Sequence, residues 1–374
     1  MRDIAEGLRS LIAAQQPFGL ATVVSIKGSS PRPPGASMAV DAAGTVVGSV
    51  SGGCVEGAVY ESASEVLAGG PPVVETYGIS DETAFSVGLT CGGILDVLVQ
   101  QVSPAEAALL TQILDLLDRE APVALATVVG GPSPLGALLV VTPDGTSGSL
   151  GTEGLDYAVA DDARGMLAIG QTGTRHYGPQ GERRIDDVAV FVQAFTPPPR
   201  MLVFGATDFA AAVSRVGVFL GYRVTVCDAR PVFATAKRFP EAHEVVCQWP
   251  HDYLAAAVAE GTVDLRTVIT VLTHDPKFDV PLLEVALRSG AGYVGAMGSR
   301  RTHEDRLGRL RDIGVTEQDL SRLHSPIGLD LGARTPEETA ISIAAEIVQG
   351  RWGGSGRPLG ATEGTIHRAP AIVR

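Results

Sequence analysis

The sequence predicts an α/β protein, a C-terminal doubly wound parallel sheet preceded by a mixed α+β domain. Three observations carry this. After residue 200 apolar strand-length runs alternate with helix-length stretches, a glycine turn follows the first strand, and a proline run separates this pattern from a different one before it.

The C-terminal pattern opens with a strand at Met201-Leu-Val-Phe204, a helix from about Thr207 to Leu220 stopped by Gly221, and a strand at Arg223-Val-Thr-Val-Cys227, which together make a βαβ unit. Further strands are expected at 244–247, 267–272 and 292–296, each a helix length apart. Phe195-Thr-Pro-Pro-Pro-Arg200 can continue neither a helix nor a central strand. The expected domains are therefore 1–195, a linker at 196–200, the sheet domain at 201–350, and a Gly/Pro/Arg-rich tail at 351–374.

Before the linker, residues 1–16 read as an amphipathic helix, and short strands at 21–26, 36–40 and 45–50 surround a turn at Asp41-Ala-Ala-Gly44. Helices are expected at 55–67 and 104–119. Ala21-Thr-Val-Val24 reappears as Ala126-Thr-Val-Val129, Gly35-Ala36 as Gly136-Ala137, and Gly48-Ser49 as Gly148-Ser149. This reads either as a degenerate internal repeat or as two hairpins with similar turn chemistry. In the second copy Ser51-Gly-Gly-Cys-Val55 shrinks to Gly151-Thr152, so the cysteine belongs to one half only.

Composition narrows the function. At 374 residues and 45% apolar content the chain buries two ordinary cores, which excludes intrinsic disorder. A net charge of −13, with no basic block to offset it, argues against nucleic acid as a partner. No apolar run reaches the roughly 18 residues of a membrane helix. Residues 1–16 carry charges where a signal peptide would be apolar, so a cytoplasmic protein is expected. The four cysteines, Cys54, Cys91, Cys227 and Cys247, form neither a disulfide scaffold nor a zinc spacing, and Cys227 and Cys247 read as core.

Candidate ligand groups cluster where open α/β sheets bind ligands, beyond the carboxyl ends of strands. Gly205 follows the first strand and Asp228 ends the second, the dinucleotide arrangement, with Arg230 placed for a ribose hydroxyl or a 2′-phosphate. Yet Thr207 stands where backbone must approach pyrophosphate, and Asp208 adds negative charge. NAD and NADP are expected to bind weakly, if at all. His274 and Asp275, beyond the fourth strand, could hydrogen-bond a heterocycle or its sugar. Gly298-Ser299-Arg300-Arg301 opens a helix with two cations, against the macrodipole, which points to an anion there. In the N-terminal domain, Gly52-Gly53-Cys54 passes from a strand into a helix, where a thiolate is favoured as nucleophile or soft metal ligand, and Cys91 repeats the thiol beside paired glycines.

Gly28-Ser-Ser-Pro-Arg-Pro-Pro-Gly35, Gly48-Ser-Val-Ser-Gly-Gly-Cys-Val-Glu56, Thr90-Cys-Gly-Gly93, Tyr293-Val-Gly-Ala-Met-Gly-Ser-Arg300 and Ser325-Pro-Ile-Gly-Leu-Asp-Leu-Gly332 together resemble the XdhC/CoxI family along nearly the whole chain. The resemblance implies a chaperone that binds the molybdopterin (molybdenum) cofactor, protects its sulfurated form and helps insert it into a xanthine, aldehyde or carbon monoxide dehydrogenase. A cysteine desulfurase and a second copy of the chain are further expected partners. Cys54, with Cys91 as helper, would then meet the cofactor's molybdenum or sulfur. The family usually carries Gly-Ala-Gly-His in the first turn, from which Thr207 and Asp208 depart. The alternative function is an NAD(P)-dependent oxidoreductase, opposed by that damaged glycine turn.

Overall fold

The computed structural model describes residues 1–28, 30–78, 93–273 and 275–363, and divides into two compact units, Met1–Pro197 and Pro198–Arg374.

The first unit runs α1 (Ala5–Ala13), β1 (Phe18–Lys27), β2 (Ser37–Asp41), β3 (Val46–Gly48), α2 (Glu56–Leu67), β4 (Val73–Tyr77) and β5 (Ile94–Val102). It then repeats the plan with α3 (Pro104–Asp118), β6 (Val123–Gly130), β7 (Leu138–Val141), β8 (Thr146–Gly148), α4 (Glu153–Ile169), β9 (Gly173–Tyr177) and β10 (Val188–Phe195). Each half builds a five-stranded antiparallel sheet, in the orders β3-β2-β1-β5-β4 and β8-β7-β6-β10-β9. The repeat is therefore one of architecture, and the turn chemistry follows from it.

Local details obey the same symmetry. Gln15 and Glu120, just after α1 and α3, are the non-glycine residues with positive φ among those described. Gly35 and Gly136 both turn with positive φ, and each is met by a buried glutamine of the other half: Gln193 Nε2 donates to the Gly35 carbonyl at 3.0 Å and Gln100 Nε2 to that of Gly136 at 3.3 Å. One face of each sheet is covered by its helix. Val59, Ala63 and Val66 of α2 pack on Ala21, Val23 and Val97, while Leu155, Val159 and Ala163 of α4 pack on Ala126, Val128 and Val190. Burying each such Leu or Val stabilises the fold by about 1.5–3 kcal/mol. Helix α3 starts at a Ser103–Glu106 capping box.

The second unit contains β11 (Arg200–Phe204), α5 (Asp208–Phe219), β12 (Arg223–Cys227), β13 (Glu244–Val246), α6 (Pro250–Ala259), β14 (Val268–Val271), α7 (Pro276–Arg288), β15 (Tyr293–Ala296), α8 (Arg300–Asp312), α9 (Glu317–Leu320), β16 (Leu323–His324) and α10 (Pro336–Trp352). Its six strands are all parallel in the order β13-β12-β11-β14-β15-β16, the doubly wound arrangement expected. Helices α5 and α10 pack on one face through Val213, Ala340, Ile343 and Ile347, and α6, α7 and α8 on the other through Leu254, Leu283, Leu287 and Leu310. The right-handed crossovers that parallel strands require put every strand's carboxyl end at one edge.

One expectation needs correction. Cys247 is exposed: β13 ends at Val246 on the sheet's outer edge, so the next residue has no neighbour strand to cover it. The polar helix after β15 begins at Arg300, which puts both arginines inside its first turn.

Candidate functional site

Two turns at the carboxyl edge of the second unit set the chemistry. The first follows β11. Gly205 adopts φ +110°, and a Cβ there would approach Thr273 to 2.8 Å, so glycine is required by both backbone and space. Thr207 caps α5, its hydroxyl accepting from Ala210 N–H at 3.2 Å. Asp228 is buried and accepts from Ala206 N–H at 2.7 Å and from the Arg230 backbone at 2.9 Å, while the Arg230 guanidinium grips both its oxygens at 2.9 and 2.8 Å. Burial alone would raise this carboxyl's pKa, but Arg230 and the two amides outweigh it and hold the pKa below the usual carboxylate range.

The same turn is closed a second time. Asp208 pairs with Arg238 at 3.3 Å, and Arg230 and Arg238 both lie over the Phe233 ring, at 4.6 and 5.4 Å from its centre. Thr207 and Asp208, the departures from the usual first turn, thus have structural work: one caps the helix and the other receives an arginine. The groups that would meet a ribose and a pyrophosphate are engaged by the protein itself.

The second turn follows β15 and is open. Ser299 caps α8, accepting from Thr302 N–H at 3.1 Å, and Gly298 sits so close to Thr302 that a Cβ would lie 3.2 Å from it. Arg300 and Arg301 are exposed, and neither forms an ion pair or side-chain hydrogen bond among the described residues. Among the described α-helices, α8 alone has no acid in its first turn. Two cations and a helix N-terminus with no counter-charge make an anion site in chemical terms.

Beneath this turn lies a buried network that sequence reasoning missed. Arg306 of α8 and Asp279 of α7 form an ion pair at 3.0 Å with side chains 3% and 5% exposed. Arg306 also donates to the Met297 carbonyl at 2.8 Å and to Ser325 Oγ at 3.0 Å, and the Thr273 hydroxyl donates to Asp279. One guanidinium thereby ties together the ends of β14, β15 and β16. On the opposite face Glu346 of α10 accepts from Tyr293 Oη at 2.5 Å and Gly328 N–H at 2.7 Å and contacts His324 Nδ1 at 3.1 Å, anchoring the loop that contains the cis Ser325–Pro326 bond. Asp275 caps α7 by accepting from Lys277 N–H at 3.1 Å and pairs with the Lys277 ammonium at 3.2 Å. His274 and Cys91 lie outside the described residues.

In the first unit Cys54 is half-buried one residue before the cap of α2, packed against the apolar cluster under that helix, with its N–H donating to Ser51 Oγ at 2.9 Å. Gly52 and Gly53 both have positive φ, and their N–H groups converge at 2.9 and 2.8 Å on the Glu56 carboxylate. Ser49 and Ser51 hydroxyls, each at 2.6 Å, and the amides of Ser51 and Val55 complete the ring of donors. Burial opposes ionisation here, but these hydrogen bonds win and draw the Glu56 pKa down to about 2. The donors at the start of α2 therefore already face an internal anion, the Glu56 carboxylate. Among the remaining thiols, burial pushes Cys227 up to about 12. Among the described residues no group of three or more His, Cys, Asp or Glu side chains could hold a metal ion.

Comparison with known proteins agrees with this architecture. The model of the XdhC and CoxI family matches residues 11–78 and 116–178, and that of the XdhC Rossmann domain matches residues 201–347. A Bacillus subtilis (strain 168) protein, named as a probable subunit of xanthine dehydrogenase, is 27% identical over 349 residues, spanning 92% of this chain and 96% of its own. The molybdenum cofactor insertion chaperone PaoD of Escherichia coli (strain K12) is 26% identical over 332 residues, 89% of this chain and 83% of its own. A crystal structure described as a xanthine dehydrogenase from Bacillus halodurans shares the fold with a TM-score of 0.63 at 23% identity, over 96% of this chain and 98% of that one. No helix among the described residues is long and apolar enough to cross a membrane.

Proposed function

Because the chain belongs to the XdhC and CoxI family, we propose that it binds the molybdenum–pterin cofactor as cargo and passes it, in the cytoplasm, to a molybdenum hydroxylase of the xanthine dehydrogenase type. It binds and transfers; it does not turn a substrate over. The observation that carries the reading is the open turn at Gly298-Ser299-Arg300-Arg301, whose exposed guanidinium groups suit the phosphate of such a cofactor. The relatives named as an insertion chaperone and as part of a dehydrogenase support the cargo and the client.

Cys54, with Cys91 as helper, is assigned the contact with the cofactor's molybdenum or its transferable sulfur, since thiolates are soft ligands. A cysteine desulfurase would supply that sulfur. The oxidoreductase reading loses support at the first turn, where Asp228 is held by Arg230 and α5 is capped by Thr207. The test is activation of a cofactor-free client dehydrogenase by the chain loaded with cofactor. Cys54→Ala should lower activation while leaving cofactor binding in place, and full activation by that variant would remove Cys54 from the mechanism.

A further inference from the structure

A groove of about 700 Å³ opens on the first unit between the end of α1 and the start of α3, with Gln15, Gln16, Phe18, Gln101, Ser103 and Ala107 among its walls. Among the described residues no charged side chain lines it. The duplicated architecture explains why the space is open. Gln15 corresponds to Glu120, both with positive φ just after a helix. Ile4 corresponds to Leu109, since a Cβ on Gly48 would meet the one at 2.4 Å and a Cβ on Gly148 the other at 3.0 Å. The same register pairs Arg2 with Ala107, Asp3 with Ala108 and Glu6 with Thr111. Ser103 corresponds to Thr196, each just beyond one of the paired glutamines Gln100 and Gln193.

The twin of this groove lies in the same unit, and the chain fills it with its own arginine. The Arg2 guanidinium donates to the Thr196 carbonyl at 2.7 Å, within electrostatic reach of Glu120. Each of these positions has a counterpart in the walls of the open groove: Ala107 for Arg2, Ser103 for Thr196 and Gln15 for Glu120. Where Arg2 reaches across, Ala107 stops at its Cβ, so the volume stays free while acceptors remain. The Ser103 carbonyl accepts from Ala107 N–H at 2.8 Å and keeps a second lone pair. The carboxamide oxygens of Gln15, Gln16 and Gln101 add further acceptors. A planar guanidinium, with its donors in a fixed fork, suits several such oxygens at once better than a point-like ammonium does. The chain's net charge of −13 favours the approach of a cation.

We infer that this groove receives an arginine side chain presented by a partner protein, as its twin receives Arg2. This does not depend on what the protein carries. The probe is N-acetyl-arginine amide, titrated into the full chain and followed by two-dimensional NMR, with the backbone signals of Gln101, Ser103 and Ala107 as reporters. A single site of millimolar affinity is expected there. The uncharged isostere N-acetyl-citrulline amide should bind about tenfold more weakly, the difference between a charge-assisted and a neutral hydrogen bond. Two substitutions should move the number of sites in opposite directions. Ala107→Arg gives the open groove the residue its twin has, and should abolish binding. Arg2→Ala removes an exposed side chain, vacates the twin and should add a second site, reported by Thr196. Silent reporters, equal binding of citrulline, or binding that Ala107→Arg leaves intact would overturn the inference. So would an Arg2→Ala chain that still shows one site.

Discussion

The turns after β11 and β15 sit on the same edge of one sheet, each leading from a strand through a glycine into a capped helix, and they have opposite electrostatic states. At the first, Arg230 and Arg238 are neutralised by Asp228 and Asp208 and stacked on Phe233. At the second, Arg300 and Arg301 face solvent with no acid in the turn. A doubly wound sheet offers several helix N-termini along its carboxyl edge, and side-chain pairing decides which of them is available to an anion. The difference teaches that fold alone does not locate the ligand.

The sharpest contrast is energetic. Asp279→Ala removes the partner of the buried Arg306 beneath the open turn and should cost about 3–5 kcal/mol, since a buried charge is left uncompensated. Arg230→Ala takes a half-exposed guanidinium from the buried Asp228, whose carboxylate keeps its two backbone amide donors, and should cost less, about 1–3 kcal/mol. Chemical denaturation of both variants measures this, and equal losses would show that the two turns are not supported differently. Next in size, Arg300→Ala with Arg301→Ala should weaken cofactor binding by about tenfold or more, the value of one or two charge-assisted hydrogen bonds, and should flatten its salt dependence. Arg230→Ala should leave affinity within a factor of about two.

A third test concerns the first unit. The Glu56 carboxyl is depressed from 4.5 to about 2 in the folded chain, so its stabilising contribution is fully present above about 4.5 and is lost as pH falls through about 2. The stability difference between the wild type and Glu56→Gln should therefore be constant near neutrality and shrink between those values. A difference that grows with acid would reverse the assignment. The smallest effect is expected from dinucleotides: millimolar NAD or NADP should give little or no binding heat, and a micromolar dissociation constant would break the comparison at its closed end.

Much of this was legible in the sequence because it depends on local pattern. Strand–glycine–helix alternation gave the parallel sheet, the paired Ala-Thr-Val-Val runs raised duplication as one of two readings, and Thr207 and Asp208 announced an unusual first turn. What escaped depends on residues brought together from afar. Arg238 reaches Asp208 across 30 positions, and Arg306 joins Asp279 across 27, and neither spacing forms a motif. Glu56 was visible as part of a motif, but its role required the positive φ of Gly52 and Gly53, which turn their amides inward. Cys247 was misjudged because one residue decides whether an edge strand still covers a side chain.

The claim that this chain carries cofactor at the open turn is tested most directly by purifying the wild type and the Arg300→Ala, Arg301→Ala variant from cells competent in molybdenum cofactor synthesis, then assaying bound pterin and molybdenum. The account predicts near-stoichiometric pterin on the wild type and a marked loss on the variant. Equal pterin on both, or none on the wild type, would contradict it.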